Sequence, residues 1–570
     1  MEGHVYDLNG KALSQAMITV SMDPGQPGPS AITTFTDENG RFQFPDYAGS
    51  STTPTAKALG YRQVDTVTKH VADGVDVTVI MRFERNQNGV APASAWLAHI
   101  SDPKDRMTLV MNCTGCHQMP APAVREYAKL TYDTASGEPA ATQSWHALTK
   151  YMNRVVGQAT AVYLGVDGQS PEAANLEQIL GIDADAMAPL LARSLVGPMD
   201  RVEGYQYGVP VIANSHTVIR EYEVPRPNAI REAITLDDPN VLWVADADAN
   251  RLIRLDAVTG AQKNYDIPGR KITSLHTLAR SNDGKSDGKL WILPMLDDIS
   301  ARFDPKGEQW QSWKVKGEVR DGVKSLHDPA MDSNRNVTPD QHGRIWYTDI
   351  VDNGIGWLNP TTGQSGLYPV PPVPGRTENG LPYGSMMTSD HKHVWYLLFG
   401  IGAFGSFNTE TLKFETVVQL PDKLCGPRRG AISDSDILYV ALFGTGQLAE
   451  YDTRRQKMIG VYDLPDRASA PYGATWDPKR KVLWIPTSNA NLIYRFDPRD
   501  KSFAALPLPR ESAFLRMLAV DRTTGALTTA YANLNGSVQG PRMAVVINLG
   551  DGPTTAGAPK ATAPQRSKSQ

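Results

Sequence analysis

Val241-LWVADADANRLIRL-Asp256 reads as strand, turn and strand, and the same sixteen-residue frame returns without a gap at residues 289–304, 344–359, 393–408, 437–452 and 482–497. A seventh, longer copy covers residues 526–548. The third position is aromatic in six of the seven, namely Trp243, Trp291, Trp346, Trp395, Tyr439 and Trp484, with Thr528 in the last; the intervals run from 44 to 55 residues. A period near 45 built from short strands is that of a propeller blade, because one such unit cannot bury its faces alone and must stack on its neighbours. The expected architecture of residues 214–550 is therefore a seven-bladed β-propeller.

Seven blades need seven outermost strands. Six follow the repeat units: Gln262-KNYDIP, Gln311-SWKVKG, Ser365-GLYPVP, Glu415-TVVQLP, Ile459-GVYDLP and Phe503-AALPLP. The seventh, Ile219-REYEVP, precedes every unit, and no counterpart follows the last one. The N-terminal strand is thus expected to complete the C-terminal blade and close the ring, leaving no free sheet edge. Residues 551–570, rich in Pro, Ala, Thr, Ser and Lys, are expected to be a disordered tail.

Upstream, residues 1–83 alternate strand and turn, with Asn9-Gly10 and Asn39-Gly40 supplying the positive φ that tight hairpins need. The pattern V-x-D-x-x-G-x-x-L from Val5, T-D-x-x-G-x-F-x-F from Thr36 and Ala58-Leu59-Gly60-Tyr61 resembles the carboxypeptidase regulatory-like family. That resemblance implies a transthyretin-like β-sandwich used for packing or surface binding, without catalysis. Residues 84–106, with several prolines and Asn86-Gln87-Asn88-Gly89, read as a linker.

Helical signals then surround Cys113-Thr114-Gly115-Cys116-His117. Two thiols three apart can add across the vinyl groups of a haem, and the adjacent imidazole then falls under the iron as proximal ligand. A zinc site needs further partners at matched spacing, and the one other cysteine is Cys425. Trp145, Leu148, Met152 and Val155 share a helical face, Ser170-Pro171-Glu172 reads as a helix start, and a last helix is expected over residues 183–196. Residues 107–200 resemble the small class I cytochrome c domain, which implies one covalent haem c on Cys113 and Cys116. His117 is the expected proximal iron ligand, and Met152, a soft thioether on the following helix, the candidate distal one, with Met187 and Met199 as alternatives. The chain as a whole reads as mainly β and multidomain.

The formal net charge is −4 and Lys and Arg are scattered among acids, so no nucleic-acid surface is expected. No apolar run is long enough to span a bilayer. Haem is attached to c-type apoproteins outside the bacterial cytoplasm, so a periplasmic or otherwise exported location is expected. The chain opens Met1-Glu2-Gly3-His4-Val5-Tyr6 as a strand, and the expectation includes a leader removed or lying upstream.

The propeller repeat resembles the streptogramin (virginiamycin B) lyase family, with Glu232-AITLDDPNVLWVA-Asp246 fitting its blade pattern best. The family's activity implies a His and a Glu near the axis with magnesium, a metal called for only under that lyase alternative. At the first of those positions, allowing a shift of one residue, the blades carry Glu232, His276, Arg335, Tyr383, Arg429, Tyr472 and Arg516. At the second they carry Asp246, Pro294, Asp349, Leu398, Leu442, Thr487 and Ala530, so no blade pairs a histidine with a carboxylate in register. His327 precedes Asp349 but sits several residues early. Glu232, His276, His327, Arg429 and Arg516 are the candidate catalytic residues, expected to line one mouth suited to an anionic or oxygen-rich small molecule. The favoured function is an oxidoreductase that passes electrons from that substrate to the haem and on to a periplasmic redox partner. A carbon–oxygen lyase and a non-enzymatic electron carrier with β docking modules are the alternatives.

Overall fold

The structure is a computed structural model of the 570-residue chain; it describes residues 1–550 apart from 24–26, 45–52, 72–73, 135–136, 164–181, 196–198, 200, 226–229, 248, 269–274, 283–285, 295–297, 317–325, 333, 377 and 534–539. The helix start expected at Ser170-Pro171-Glu172 and the expected tail both lie outside the described residues.

Each repeat unit folds around four antiparallel strands, the second of which carries the recurring aromatic in six of the seven, and in the second unit Asn336–Val337 adds a fifth, parallel strand. In the first, Ile230–Thr235, Val241–Asp246, Arg251–Asp256 and Gln262–Asp266 lie side by side in chain order. Six such units follow one another among the described residues, and a seventh is made of Leu515–Val520, Leu527–Tyr531, Met543–Asn548 and the upstream strand Val218–Glu223. The first strand of every unit touches that of the next, and Leu515–Val520 touches Ile230–Thr235, so the units form a closed ring. Trp243, Trp291, Trp346, Trp395 and Trp484 are buried between neighbouring units, which explains the aromatic at position three of the repeat.

The expected closure holds in register: Ile219 opposes Ile547 and Glu221 opposes Val545. The closing strand is not an edge, however. Its other side pairs with Ala31–Phe35 of the N-terminal sandwich, Thr33 opposite Ile219 and Ala31 opposite Glu221, giving one seven-stranded sheet that runs from propeller into sandwich. The edge is thus covered by another domain rather than merely closed within the ring. The sandwich's second sheet is not wholly antiparallel either, since Glu2–Asp7 runs parallel to Gly74–Phe83.

Helices occupy the middle of the chain: α1 Ser94–Leu97, α2 Pro103–Cys113, α3 Pro122–Thr134, α4 Glu138–Tyr163 and α5 Ala184–Ser194. Asp102 caps α2 by accepting from the Lys104 amide, with proline at the first position, and Asp183 caps α5 in the same way. Residues 84–106 are not a free linker. Ala95, Trp96 and Leu97 are buried, the Trp96 indole donates to the Met199 carbonyl at 3.0 Å, and the Arg125 guanidinium stacks 4.0 Å from its ring. An indole and a run of small apolar residues gain more from burial than a solvated tether would. No helix among the described residues is long and apolar enough to cross a membrane.

Candidate functional site

The inner strand of every unit breaks register at its start. Arg231 and Glu232 together oppose Ala245; His327 and Asp328 oppose Thr348; Tyr383 and Gly384 oppose Leu397; Arg428 and Arg429 oppose Ala441; Arg516 and Met517 oppose Ala530. His276 is the single extra residue between Leu275 and Thr277, and Tyr472 lies in the corresponding gap between the Pro471–Thr487 bridge and the Thr475–Trp484 pair. Two residues against one is a β-bulge, which bends the strand and re-aims its side chains. Here it brings successive residues, which a regular strand would send to opposite faces, into one axis. The bulged residues form two layers.

The deep layer is an ion-pair network, joined to the layer above it by Arg429 Nη2, which lies 3.4 Å from His276 Nδ1. Arg429 crosses the axis, its Nη1 donating to Glu232 Oε1 at 2.7 Å and its Nε and Nη2 to the two Asp328 oxygens at 2.6 and 2.5 Å. Glu232 also accepts from Arg335 and, at 2.9 Å, from the Leu278 amide; Thr277 donates to Asp328 at 2.8 Å. All four charged groups are buried. Burial raises the Glu232 carboxyl, but Arg335 and Arg429 outweigh it and hold it below the usual range. Room for the Arg429 stem comes from glycine: a Cβ on Gly384 would sit 3.0 Å from Arg429 Cα, and one on Gly473 would sit 3.1 Å from Arg429 Cβ.

The shallow layer holds His276, His327, Tyr383, Arg428, Tyr472 and Arg516. The two imidazole centroids are 4.2 Å apart, and that of His327 lies 4.1 Å from the Tyr383 ring. Burial, then neighbouring charge, pushes both histidines well below their ordinary range, so both are neutral at pH 7. Tyr383 and Tyr472 share a hydrogen bond at 2.5 Å between their hydroxyls. Arg516 Nη1 donates to the Tyr472 hydroxyl at 2.8 Å, and Arg428 lies 4.1 Å from the Tyr472 ring and 4.5 Å from that of Phe443. Burial raises the Tyr472 phenol, but Arg428, Arg516 and Arg429 overcome that and pull it down to about 7.

The C-x-x-C-H loop sits on this layer. Arg516 Nη2 donates to the Gly115 carbonyl at 3.0 Å. Beyond it, the Met119 amide donates to Asn489 at 2.7 Å, and the Gln118 side chain donates to Asn491 at 2.7 Å, so the loop is tied to the propeller by backbone and side chain. Tyr383, Phe443 and Tyr472 belong to the same apolar cluster as Trp96, Val110, Trp145 and Leu190 of the helical module. Cys113, Cys116 and Cys425 are free thiols. Burial pushes the Cys113 thiol up to about 12 and raises that of Cys116, so both are protonated at neutral pH. His117 Nδ1 lies 2.7 Å from the Gln118 carbonyl, which can only accept; Nδ1 therefore carries the proton and Nε2 keeps its lone pair.

These residues fit a covalent haem: two unpaired thiols at the required spacing, and a histidine whose ring is oriented by a backbone carbonyl with the ligating nitrogen left open. Met152 is half-buried on α4 and packs against the apolar cluster to which the buried Met187 and Met199 belong. Among the described residues no group of three or more His, Cys, Asp or Glu side chains could hold a metal ion.

All five candidate catalytic residues converge on the axis, but in different layers: Glu232 and Arg429 in the deep network, His276, His327 and Arg516 in the shallow layer. Asp246 and Asp349 do other work, accepting the backbone amides of the turns that follow them, Ala249 at 3.2 Å and Val351 at 3.1 Å. Asp328 and Arg428 escaped a period-two reading because each shares its bulge with a residue already chosen. Two consecutive titratable residues at an inner-strand start, His327-Asp328 and Arg428-Arg429, are the available signal.

Residues 1–82 match the model of the carboxypeptidase regulatory-like domain, and this segment is such a domain. No curated protein matches the chain. Among solved structures, virginiamycin B lyase from Staphylococcus aureus is 17% identical, covering 58% of this chain and 99% of its own with a TM-score of 0.47. A streptogramin B lyase structure is 18% identical over 58% of this chain and 98% of its own, TM-score 0.47. The β-propeller domain of Cps50 (Swd1) from Myceliophteria thermophila is 10% identical over 57% and 99%, TM-score 0.43.

Proposed function

We propose that this chain is an exported c-type haem protein in which a class I cytochrome c-like module sits on the mouth of a seven-bladed propeller. It is an oxidoreductase that takes electrons from a small polar or anionic substrate and passes them to a periplasmic redox partner. The observation that carries the reading is the seating of the Cys113–His117 loop on the shallow layer, through the bond from Arg516 to Gly115. When bound, haem supplies a one-electron ferric–ferrous couple. Cys113 and Cys116 would hold it by thioether bonds and His117 Nε2 would ligate its iron.

The remaining steps belong to the shallow layer. Neutral His327 can accept a proton at a ring nitrogen, and the Tyr472 phenol, once ionised under the pull of the surrounding arginines, can accept one at its oxygen. The helical module packs in one apolar cluster with Tyr383, Phe443 and Tyr472, which limits the approach of water to these rings.

Expression of the chain behind an export leader, together with the haem-maturation machinery, tests this directly. The expected product has the mass of the polypeptide plus one haem, lost when Cys113 and Cys116 are both changed to Ala. A mass equal to the bare polypeptide overturns the proposal. Candidate alcohols, phenols and amines added to the oxidised protein should include one that brings up the reduced Soret and α bands. Met152→Ala should abolish the weak thioether-to-iron band of the ferric spectrum; an unchanged band assigns the distal ligand elsewhere.

A further inference from the structure

Arg428 and Arg516 are buried, yet among the described residues neither has a carboxylate partner. Arg428 donates to the Tyr383 hydroxyl at 3.3 Å; Arg516 donates to the Tyr472 hydroxyl and the Gly115 carbonyl; the Nε of each makes no hydrogen bond. The contrast with the deep layer, where two guanidiniums meet two carboxylates, is one of charge balance. A buried cation without a counter-charge is costly, and a desolvated pair of them beside aromatic walls is a site built for an anion. The pull on the Tyr472 phenol has the same origin, since the excess charge draws a proton from the nearest acid.

Which anion belongs there follows from the loop that covers it. The guanidinium that donates to Gly115, midway between the two attachment cysteines, also reaches Tyr472. A haem joined to Cys113 and Cys116 would bring two propionate carboxylates, the anionic groups it carries, to the space that this loop covers. We propose that Arg428 and Arg516 form a carboxylate site filled by a haem propionate, so that the propeller supplies one wall of the haem pocket and fixes the haem's charge environment from outside the helical module. The inference rests on the covalent haem proposed above.

The test uses the full-length holoprotein. Changing Arg428→Gln and Arg516→Gln one at a time removes a cation beside the propionate and should lower the ferrous-to-ferric ratio at the parent's midpoint about tenfold, a fall of about 59 mV for a one-electron couple. Acetate added to the parent holoprotein should leave the Soret band unmoved, because the site is already occupied. Acetate that perturbs the parent and not the variants would identify the occupant as an external carboxylate and overturn the propionate assignment. Potentials unchanged in both variants, with covalent haem intact, overturn this inference alone; failure to form covalent haem overturns it together with the reading it rests on. Where a glutamine variant does not fold, Arg516→Lys keeps the charge and loses the planar fork. The propionate bending mode in the resonance Raman spectrum must then shift between parent and lysine variant, and an identical mode counts against the proposal.

Discussion

The deep and shallow layers of the propeller axis are made by the same device and have opposite chemistry. In both, a bulge at the start of an inner strand aims polar side chains at the centre. In the deep layer Glu232, Asp328, Arg335 and Arg429 cancel one another's charge. In the shallow layer Arg428 and Arg516 meet phenols, aromatic faces and a carbonyl, and the two histidines are neutral. Buried polarity is therefore not by itself a sign of a binding site; the sign is charge that the protein has left unbalanced.

The largest expected effect breaks the deep layer. Arg429→Ala leaves Glu232 and Asp328 buried without their shared cation, and breaking a buried pair in this way costs about 3–5 kcal/mol. Arg516→Ala removes a cation with no carboxylate partner and should cost markedly less in the apoprotein. Urea unfolding of both variants decides it. Equal losses would show that the layers do not differ in the way the hydrogen bonds imply. Gly384→Ala comes next, because its Cβ would meet the Arg428 carbonyl at 2.8 Å and Arg429 Cα at 3.0 Å. Overpacking of this kind costs about 1–3 kcal/mol, and a variant as stable as the parent would mean that the Arg429 crossing is not tightly held.

This comparison also marks what the sequence could convey. The repeat was legible because its aromatic at position three is buried in unit after unit, and the closing strand because six outer strands followed six units and one did not. The bulges are not legible: a period-two pattern assigns one of two neighbours to the axis, and so points to Glu232 without Arg231 and to Arg429 without Arg428. The need to allow a shift of one residue was the only trace of them. Nor could local pattern reveal the pairing of Ala31–Phe35 with Val218–Glu223, or the packing of Trp96 under Met199, since each contact joins segments more than a hundred residues apart. The C-x-x-C-H motif named the attachment chemistry, but where its loop sits depends on Asn489, Asn491 and Arg516, which no motif connects to it.

A smaller effect concerns acid. His276 is held below its ordinary range by burial first, then by His327, Arg429, Arg231 and Arg516, and His327 by burial first, then by Arg429, Arg428, Arg231 and Arg516. The unfolded chain takes up protons on these groups as pH falls through about 6.5, whereas the folded chain does so only at lower pH. Their contribution is thus intact above about 6.5 and lost as pH drops below it, at no more than about 1.4 kcal/mol per pH unit for each histidine. His276→Gln should flatten the fall in unfolding midpoint between pH 6.5 and 5 by about one proton. An unaltered slope would place the acid sensitivity in other groups.

The smallest effect is spectroscopic and addresses the shallow layer alone. With Arg428, Arg516 and Arg429 around it and Tyr383 sharing its proton, Tyr472 titrates at about 7 in the folded chain against about 10 unfolded. Between those values the folded chain binds fewer protons than the unfolded one, so this group firms the fold as pH rises through the window and contributes nothing below it. In the apoprotein, one tyrosinate band should appear in the near-ultraviolet difference spectrum around neutral pH and vanish in Tyr472→Phe. In Arg516→Gln it should move to higher pH, since one of the three cations is gone. A carboxylate seated on Arg428 and Arg516 would neutralise the same charge, so the band should also move upward in the holoprotein. A band that ignores both Arg516→Gln and haem attachment would show that the two guanidiniums do not set the charge of this layer, and the contrast between the layers would fail at its upper half.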